Sequence, residues 1–176
     1  MHTPADSDAS TAANLSIDAT VQTNAANEDI LKVTPETDWQ DWFQTWLSFL
    51  RVELSPIQSY ELSLQLVSDS DIRQLNAHYR QKDQPTDVLA FAALESITSQ
   101  PTELWSTFPV CLGDIVISVE TAQRQSKQAN RSLKQELAWL AAHGLLHLLG
   151  WDHPNEERLI EMLNKQTQLL QKISLI

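Results

Sequence analysis

Residues 132–153 read SLKQELAWLAAHGLLHLLGWDH and form the most informative segment of the chain. Ser132, with Gln135 three residues later, resembles a capping box, so we expect a helix to begin here. Leucine and alanine recur along the helix at helical spacing, which predicts an apolar face that packs in a core. Gly150 is expected to end the helix, because glycine is favoured at helix C-termini.

Apolar alternation and capping residues on either side of this helix predict the remaining elements. We expect a single α+β domain over residues 14–176, with about a four-stranded mixed sheet packed against about five helices. Residues 1–13, rich in Ala, Ser, Thr and Asp, are predicted to be a disordered tail, and residues 93–109 a loop. The flanking elements are expected to be a strand at Leu15–Val21, a helix at Asp38–Val52, a strand at Leu62–Leu66, a helix from Ser68 or Asp69 to Tyr79, strands at Val88–Phe91 and Cys111–Ser118, and helices at Ser118–Gln128 and Pro154–Lys172.

The composition is that of a globular protein. The chain has 176 residues, of which 42% are apolar, and no apolar run reaches the ~18 residues of a membrane span. Cys111 is the only cysteine, so no intrachain disulfide can form. These features, with no signal-peptide pattern, favour the cytoplasm and no membrane partner. The net charge of −11 argues weakly against nucleic acid, although local basic patches remain compatible with it.

A histidine cluster within the quoted segment predicts a metal site. His143 and His147 are four residues apart, so on a helix their side chains share one face. Gly150 can take a positive φ and turn the chain so that His153 approaches the pair. Three nitrogen ligands leave a fourth position open for water, as in catalytic zinc sites. We therefore predict one Zn²⁺ per chain, against the alternative of hydrogen-bonded core histidines.

The same spacing occurs in the long zinc-protease motif, H-x-x-x-H-x-x-G-x-x-H. Those proteases carry a glutamate general base directly after the first histidine. Gly144 occupies that position here and cannot accept a proton. This residue argues against peptide hydrolysis by that route.

Three sequence blocks resemble the YbeY endoribonuclease family, also called the rRNA maturation factor family. The blocks cover most of residues 15–155, and the HGLLHLLGWDH block is the most specific. They are Leu75–Arg80 followed by Pro85–Leu89, Leu112–Ser118, and His143–His153.

The resemblance implies a metal-dependent, single-strand-specific endoribonuclease. It also implies a role in ribosomal RNA maturation at the 3′ end of the small-subunit RNA, and in ribosome quality control. The partners implied are single-stranded or ribosomal RNA and the small ribosomal subunit; DNA is not expected. In the family the three motif histidines bind zinc, and the arginine that matches Arg80 is important for activity. We therefore expect Arg80, His143 and His147 to act in catalysis.

Other charged residues are candidates for supporting roles. Cleavage builds negative charge on phosphate oxygens, which the guanidinium of Arg80 can stabilise. Asp87, Asp114 and Asp152 can each hold a ligating imidazole, or alternatively cap a turn; for Asp152, capping of the last helix is favoured. A basic strip for the RNA backbone is predicted from near-helical spacing, with a plain solvated face as the alternative: Arg124, Lys127, Arg131 and Lys134.

Two further functions remain open. One is a metallohydrolase on another substrate, which Gly144 disfavours for peptides. The other is a non-catalytic ribosome-assembly factor with a structural metal, which would need a fourth protein ligand. Cys111 is the only spare thiol, and its strand position makes it a poor fourth ligand. For the endoribonuclease, the attacking group is either activated water or the RNA 2′-hydroxyl.

Overall fold

A computed structural model describes residues 15–24, 27–93 and 106–176. Within them the chain forms four strands and six helices. The predicted disordered tail, and most of the predicted loop at 93–109, lie outside the described residues. The elements are β1 (Ser16–Thr23), α1 (Ile30–Val33), α2 (Glu36–Leu50), β2 (Ser59–Val67), α3 (Asp69–Arg80), β3 (Val88–Ala92), β4 (Val110–Ser118), α4 (Val119–Gln128), α5 (Leu133–Leu148) and α6 (Glu156–Lys172).

The four strands form one mixed sheet, in the order β1-β2-β4-β3. Strands β1, β2 and β4 are parallel, whereas β3 runs antiparallel to β4 along the edge of the sheet. Gly113 allows this pairing, because a Cβ on it would lie 2.1 Å from the carbonyl oxygen of Phe91. The α+β class and the four-stranded mixed sheet are therefore confirmed.

Helix α5 lies against the sheet at the centre of the main core. Its apolar residues are buried on nearly every side, and they pack with the aromatic face of α2 and with α6. Gly144 lets the helix approach β4 closely, because a Cβ there would lie 2.7 Å from the Ile115 side chain. On the opposite face of the sheet, a smaller cluster of Ile72, Leu89 and Val116 holds α3.

The element bounds agree with the predictions to within a few residues, with two differences. The four-residue helix α1 was not predicted, because one turn has no periodicity to detect. Helix α6 begins at Glu156, and Asn155 caps it by accepting a hydrogen bond from the Arg158 backbone amide. The prediction that Asp152 caps this helix was therefore wrong. In the described part of the chain, no helix is long and apolar enough to cross a membrane.

Candidate metal centre

The three motif histidines converge at the C-terminal end of α5. His143 and His147 project from successive turns, and their Nε2 atoms are 3.0 Å apart. Gly150 follows the helix with φ of +86°, and Trp151 donates its amide to the Leu146 carbonyl, which turns the chain back. The turn brings in His153, and the candidate ligand atoms of all three residues lie within 4.8 Å of one another.

This geometry fits one metal ion held by nitrogen. Two nitrogens bound to one zinc ion at about 2.0–2.1 Å in tetrahedral geometry lie roughly 3.3–3.4 Å apart. The 3.0 Å separation of the His143 and His147 nitrogens is close to that value. Among the residues that the structure describes, no other His, Cys, Asp or Glu joins the cluster. The donor set is thus the three-ligand type found in catalytic zinc sites.

A buried glutamine, Gln166 of α6, orients His143. Its Oε1 lies 3.1 Å from His143 Nδ1, and its Nε2 donates to the Trp139 carbonyl at 3.2 Å. Because a carbonyl can only accept, the amide nitrogen must face Trp139 and Oε1 must face the ring. His143 Nδ1 therefore carries the proton, which leaves the Nε2 lone pair directed into the cluster. Sequence reasoning missed Gln166.

Burial favours the neutral form of two of the imidazoles. It lowers the pKa of His143 below the ordinary value, outweighing the hydrogen bond to Gln166, which raises it. Burial also lowers the pKa of His147, as do the neighbouring His143 and His153. Since only a neutral imidazole can bind a metal, both shifts favour ligation near neutral pH.

The histidines lie in an open cleft of about 560 Å³. One rim is formed by the end of α3 and by β3, and it includes Arg80 and Ala90; the other includes Asp152 and Leu163. Arg80 is exposed and forms no ion pair with any described residue. Its guanidinium is therefore available to an anionic ligand in the cleft.

The three aspartates predicted to support the histidines lie in different surroundings. Asp87 lines the cleft, but its carboxylate accepts from the Val88 amide and from Gln125. Asp152 also lines the cleft and accepts from the His153 amide, which orders the loop. Asp114 is exposed on the face of the sheet opposite the site, next in the strand to the inward-facing Ile115. In the described residues, none of them hydrogen-bonds a histidine ring; Gln166 occupies that position.

The four residues of the predicted basic strip are not a row of free cations. Arg124 pairs with Asp69, Arg131 with Glu136 and Lys134 with Asp38. Lys127 is exposed and forms no ion pair within the described residues. Arg124 and Lys127 lie on α4, Arg131 lies in the turn that follows, and Lys134 lies on α5, so the four do not share one helix.

The packing of Gly144 also bears on the protease alternative. The position that holds the glutamate base in zinc proteases faces Ile115 on β4, with no room for even a Cβ at the present spacing. A longer side chain there would force α5 away from the sheet. The helix–sheet packing is thus built around a residue without a side chain.

The fold and the cluster together define an α+β domain whose open cleft gathers three histidines that could hold one metal ion. Comparison with known proteins then gives its family. The family model described as Endoribonuclease YbeY matches residues 22–174. The chain therefore belongs to the endoribonuclease YbeY family.

Individual relatives agree with this assignment. The Endoribonuclease YbeY of Acaryochloris marina is 58% identical over 147 residues, which cover 81% of this chain and 82% of the relative. That of a Nostoc species is 56% identical over 144 residues, covering 82% and 77%. The solution structure of TM1509 from Thermotoga maritima superposes with a TM-score of 0.54 at 21% identity and covers 89% of each chain. At that identity it supports the fold alone.

Proposed function

We propose that this chain is a zinc-dependent endoribonuclease that cleaves single-stranded RNA. The observation that carries the proposal is the convergence of three imidazoles in an open cleft with an unpaired arginine on its rim. The relatives that match most of this chain's length are named endoribonucleases, which supports RNA as the substrate. The 42% apolar, cysteine-poor chain is consistent with the cytoplasm as its location.

Each group in the cleft has a chemical role under this proposal. A bound zinc ion supplies Lewis-acid stabilisation of negative charge and activation of the attacking oxygen. His143, His147 and His153 hold the ion, and Gln166 keeps the His143 ring in the ligating tautomer. The Arg80 guanidinium binds phosphate oxygens and stabilises the charge that develops on them as the phosphodiester breaks. The attacking oxygen belongs either to water or to the RNA 2′-hydroxyl.

The two alternative functions are less well supported by the site. A structural zinc site is closed by four protein ligands, whereas only three side chains gather here among the described residues. Peptide hydrolysis by the zinc-protease route needs a glutamate where Gly144 packs on Ile115. An enzyme acting on phosphodiesters instead uses the free cation at the rim.

Within the cell, we place this activity in ribosomal RNA maturation. The substrate class is the 3′ end of the small-subunit RNA, and the partner is the small ribosomal subunit. The same cleavage would serve ribosome quality control. These assignments rest on family membership and on the cleft that holds the histidines.

The test is cleavage of a single-stranded RNA by the purified protein, with and without a chelator. We expect chelation and His147→Ala to abolish cleavage. Arg80→Ala should lower kcat/KM by about 10²–10³-fold, the usual cost of one charge-stabilising donor. Arg73→Ala is the matched control, because Arg73 lies on the same helix, pairs with Asp83 outside the cleft, and should leave kcat/KM near wild type. Full activity after complete metal removal would reject the proposal.

A further inference from the structure

An exposed aromatic ring stands beside the rim of the cleft. The Tyr79 side chain is 61% exposed. Its ring is held edge-to-face by Phe91, with centroids 4.9 Å apart, and by His78 at 4.7 Å. Phe91 is itself packed against the small core cluster under α3. The Tyr79 ring is therefore fixed in position but open to solvent.

This ring lies on the α3 face of the sheet, across the edge strand β3 from the histidines. Tyr79 precedes Arg80 in α3, and Phe91 follows Ala90 in β3; both Arg80 and Ala90 line the cleft. Strand β3 is the edge strand of the sheet, with β4 its only partner among the described strands. A chain leaving the cleft across this edge would therefore meet Tyr79 next.

Charge favours this exit over the opposite rim. Asp152, Glu156 and Glu157 are exposed at the other rim and at the start of α6, where they repel phosphates. On the α3 side, Arg80 and Lys82 are exposed and neither pairs with a carboxylate of the described residues. The neighbouring Asp83 is already paired with Arg73. Asp114 is exposed across the strands from Phe91 and opposes this exit, but with Arg80 and Lys82 the α3 side is still less negative than the start of α6.

We propose that Tyr79 is a stacking site for one unpaired nucleobase of the RNA, next to the phosphate that Arg80 binds. The inference rests on the proposed function, because it places the same strand in the same cleft. Every base presents a π-face, so stacking on Tyr79 is tolerant of sequence and requires the base to be free of a duplex. Selectivity for single strands follows from this contact: a paired base cannot reach the ring. Tyr79 binds substrate and takes no part in the chemical step.

The first experiment measures KM and kcat on a short single-stranded RNA. Loss of one base–aromatic stack is expected to raise KM about 10-fold in Tyr79→Ala, with kcat nearly unchanged. Tyr79→Phe keeps the ring and should stay close to wild type. Phe108→Ala removes another exposed aromatic side chain that does not line the cleft, and serves as the control. An equal loss in Tyr79→Phe and Tyr79→Ala would overturn the stacking role.

The second experiment removes the base instead of the ring. RNAs carrying one abasic position beside the cleavage site should show a raised KM with wild-type protein. With Tyr79→Ala the abasic position should cause no further loss, because the partner of the stack is already absent. If the abasic position raises KM by the same factor in Tyr79→Ala as in wild type, the base does not contact Tyr79 and the proposal fails.

A binding readout separates this inference from the proposed function. An RNA with 2-aminopurine at the same position, titrated with His147→Ala protein to prevent cleavage, should be quenched on binding. Quenching should disappear in the double variant that carries both His147→Ala and Tyr79→Ala. If wild-type protein never cleaves RNA yet this quenching occurs, the proposed function fails and the stacking site stands. Undiminished quenching without the Tyr79 ring would instead assign the ring to another use, such as contact with a protein, and overturn the proposal.

Discussion

Gln166 shows how one buried side chain can set the tautomer of a neighbouring histidine. Its side chain is fully buried, and both of its polar ends are hydrogen-bonded, one to His143 and one to the Trp139 carbonyl. The amide is neutral, so it fixes the tautomer of the ring without adding negative charge beside the histidine cluster. Groups that orient ligands in this way typically affect metal affinity by about 10–100-fold.

Gln166→Leu is therefore expected to weaken zinc binding by about 10–100-fold. The leucine keeps the volume but removes the acceptor for the His143 Nδ1 proton, which leaves the ring free to change tautomer or rotate. A competition titration against a chromophoric chelator measures the affinity directly. Gln168→Leu, on the exposed face of the same helix, is the matched control and should bind zinc like wild type. Unchanged affinity in Gln166→Leu would show that packing alone orients His143.

At this scale the sequence predicts the clustering of the three histidines better than their surroundings. The histidine spacing follows from helix geometry and one glycine, so it can be detected without a structure. Gln166 lies 23 residues from His143, on a helix whose rotation depends on packing, and no local pattern marks it. Gly144 was interpreted as a missing base; the structure adds that its backbone approaches Ile115. That approach depends on contacts between distant elements.

Among the elements, caps and alternation located almost every helix and strand, but not their arrangement. The capping box predicted at Ser132 is present, and Ser68 is the residue that caps α3, through a capping box with Asp71. The order of the strands, with β4 between β2 and β3, depends on long-range pairing that local periodicity does not encode. The placement of β3 at the edge is what brings Arg80 and Ala90 to one rim. The position of Arg80 and Ala90 beside the cleft therefore depends on the order of the strands in the sheet.

Asp69 joins two of these elements. Its carboxylate, in the first turn of α3, accepts from Thr121 at 2.6 Å and from Ser118, and it pairs with Arg124 at 2.8 Å. Burial raises the pKa of Asp69, but the hydrogen bonds from Arg124, Ser118 and Thr121 outweigh it and hold the pKa below the ordinary value. The ionised carboxylate therefore stabilises the packing of α3 against the start of α4.

Asp69→Asn is expected to lower the free energy of unfolding by about 1–2 kcal/mol near neutral pH, the range for hydrogen bonds to a charged group after some screening. Because the folded pKa lies below the unfolded value of about 3.9, the stabilisation is complete above that value and is lost as the pH falls through the folded pKa. Urea unfolding at several pH values should show the two proteins converging in acid. Asp83→Asn breaks an exposed pair with Arg73 and should change little at any pH. If the free energies of unfolding of the two proteins still differ in acid, the effect of Asp69→Asn comes from altered packing and not from the lost charge.

Across the whole molecule, RNA binding must overcome an unfavourable average charge. The net charge is −11, and three of the four cations in the predicted basic strip are already paired with carboxylates. Beside the cleft, Arg80 and Lys82 are unpaired among the described residues and can attract RNA there. Composition could not show this, because it does not record which charges neutralise one another.

A shallow dependence of RNA affinity on salt follows from this distribution. For single strands, the slope of log K against log salt is about −0.7 for each phosphate neutralised, so two contacts give roughly −1.4. Arg80→Ala should reduce the slope by about 0.7, since one phosphate contact is lost. Arg124→Ala is the matched control and should leave the slope unchanged, because its guanidinium is engaged by Asp69. Fluorescence anisotropy with a non-cleavable oligonucleotide, over a range of potassium chloride concentrations, gives the slopes. A steep slope that falls on removal of Arg124 would mean that the paired cations open to bind RNA, and that the strand follows α4 instead of crossing β3.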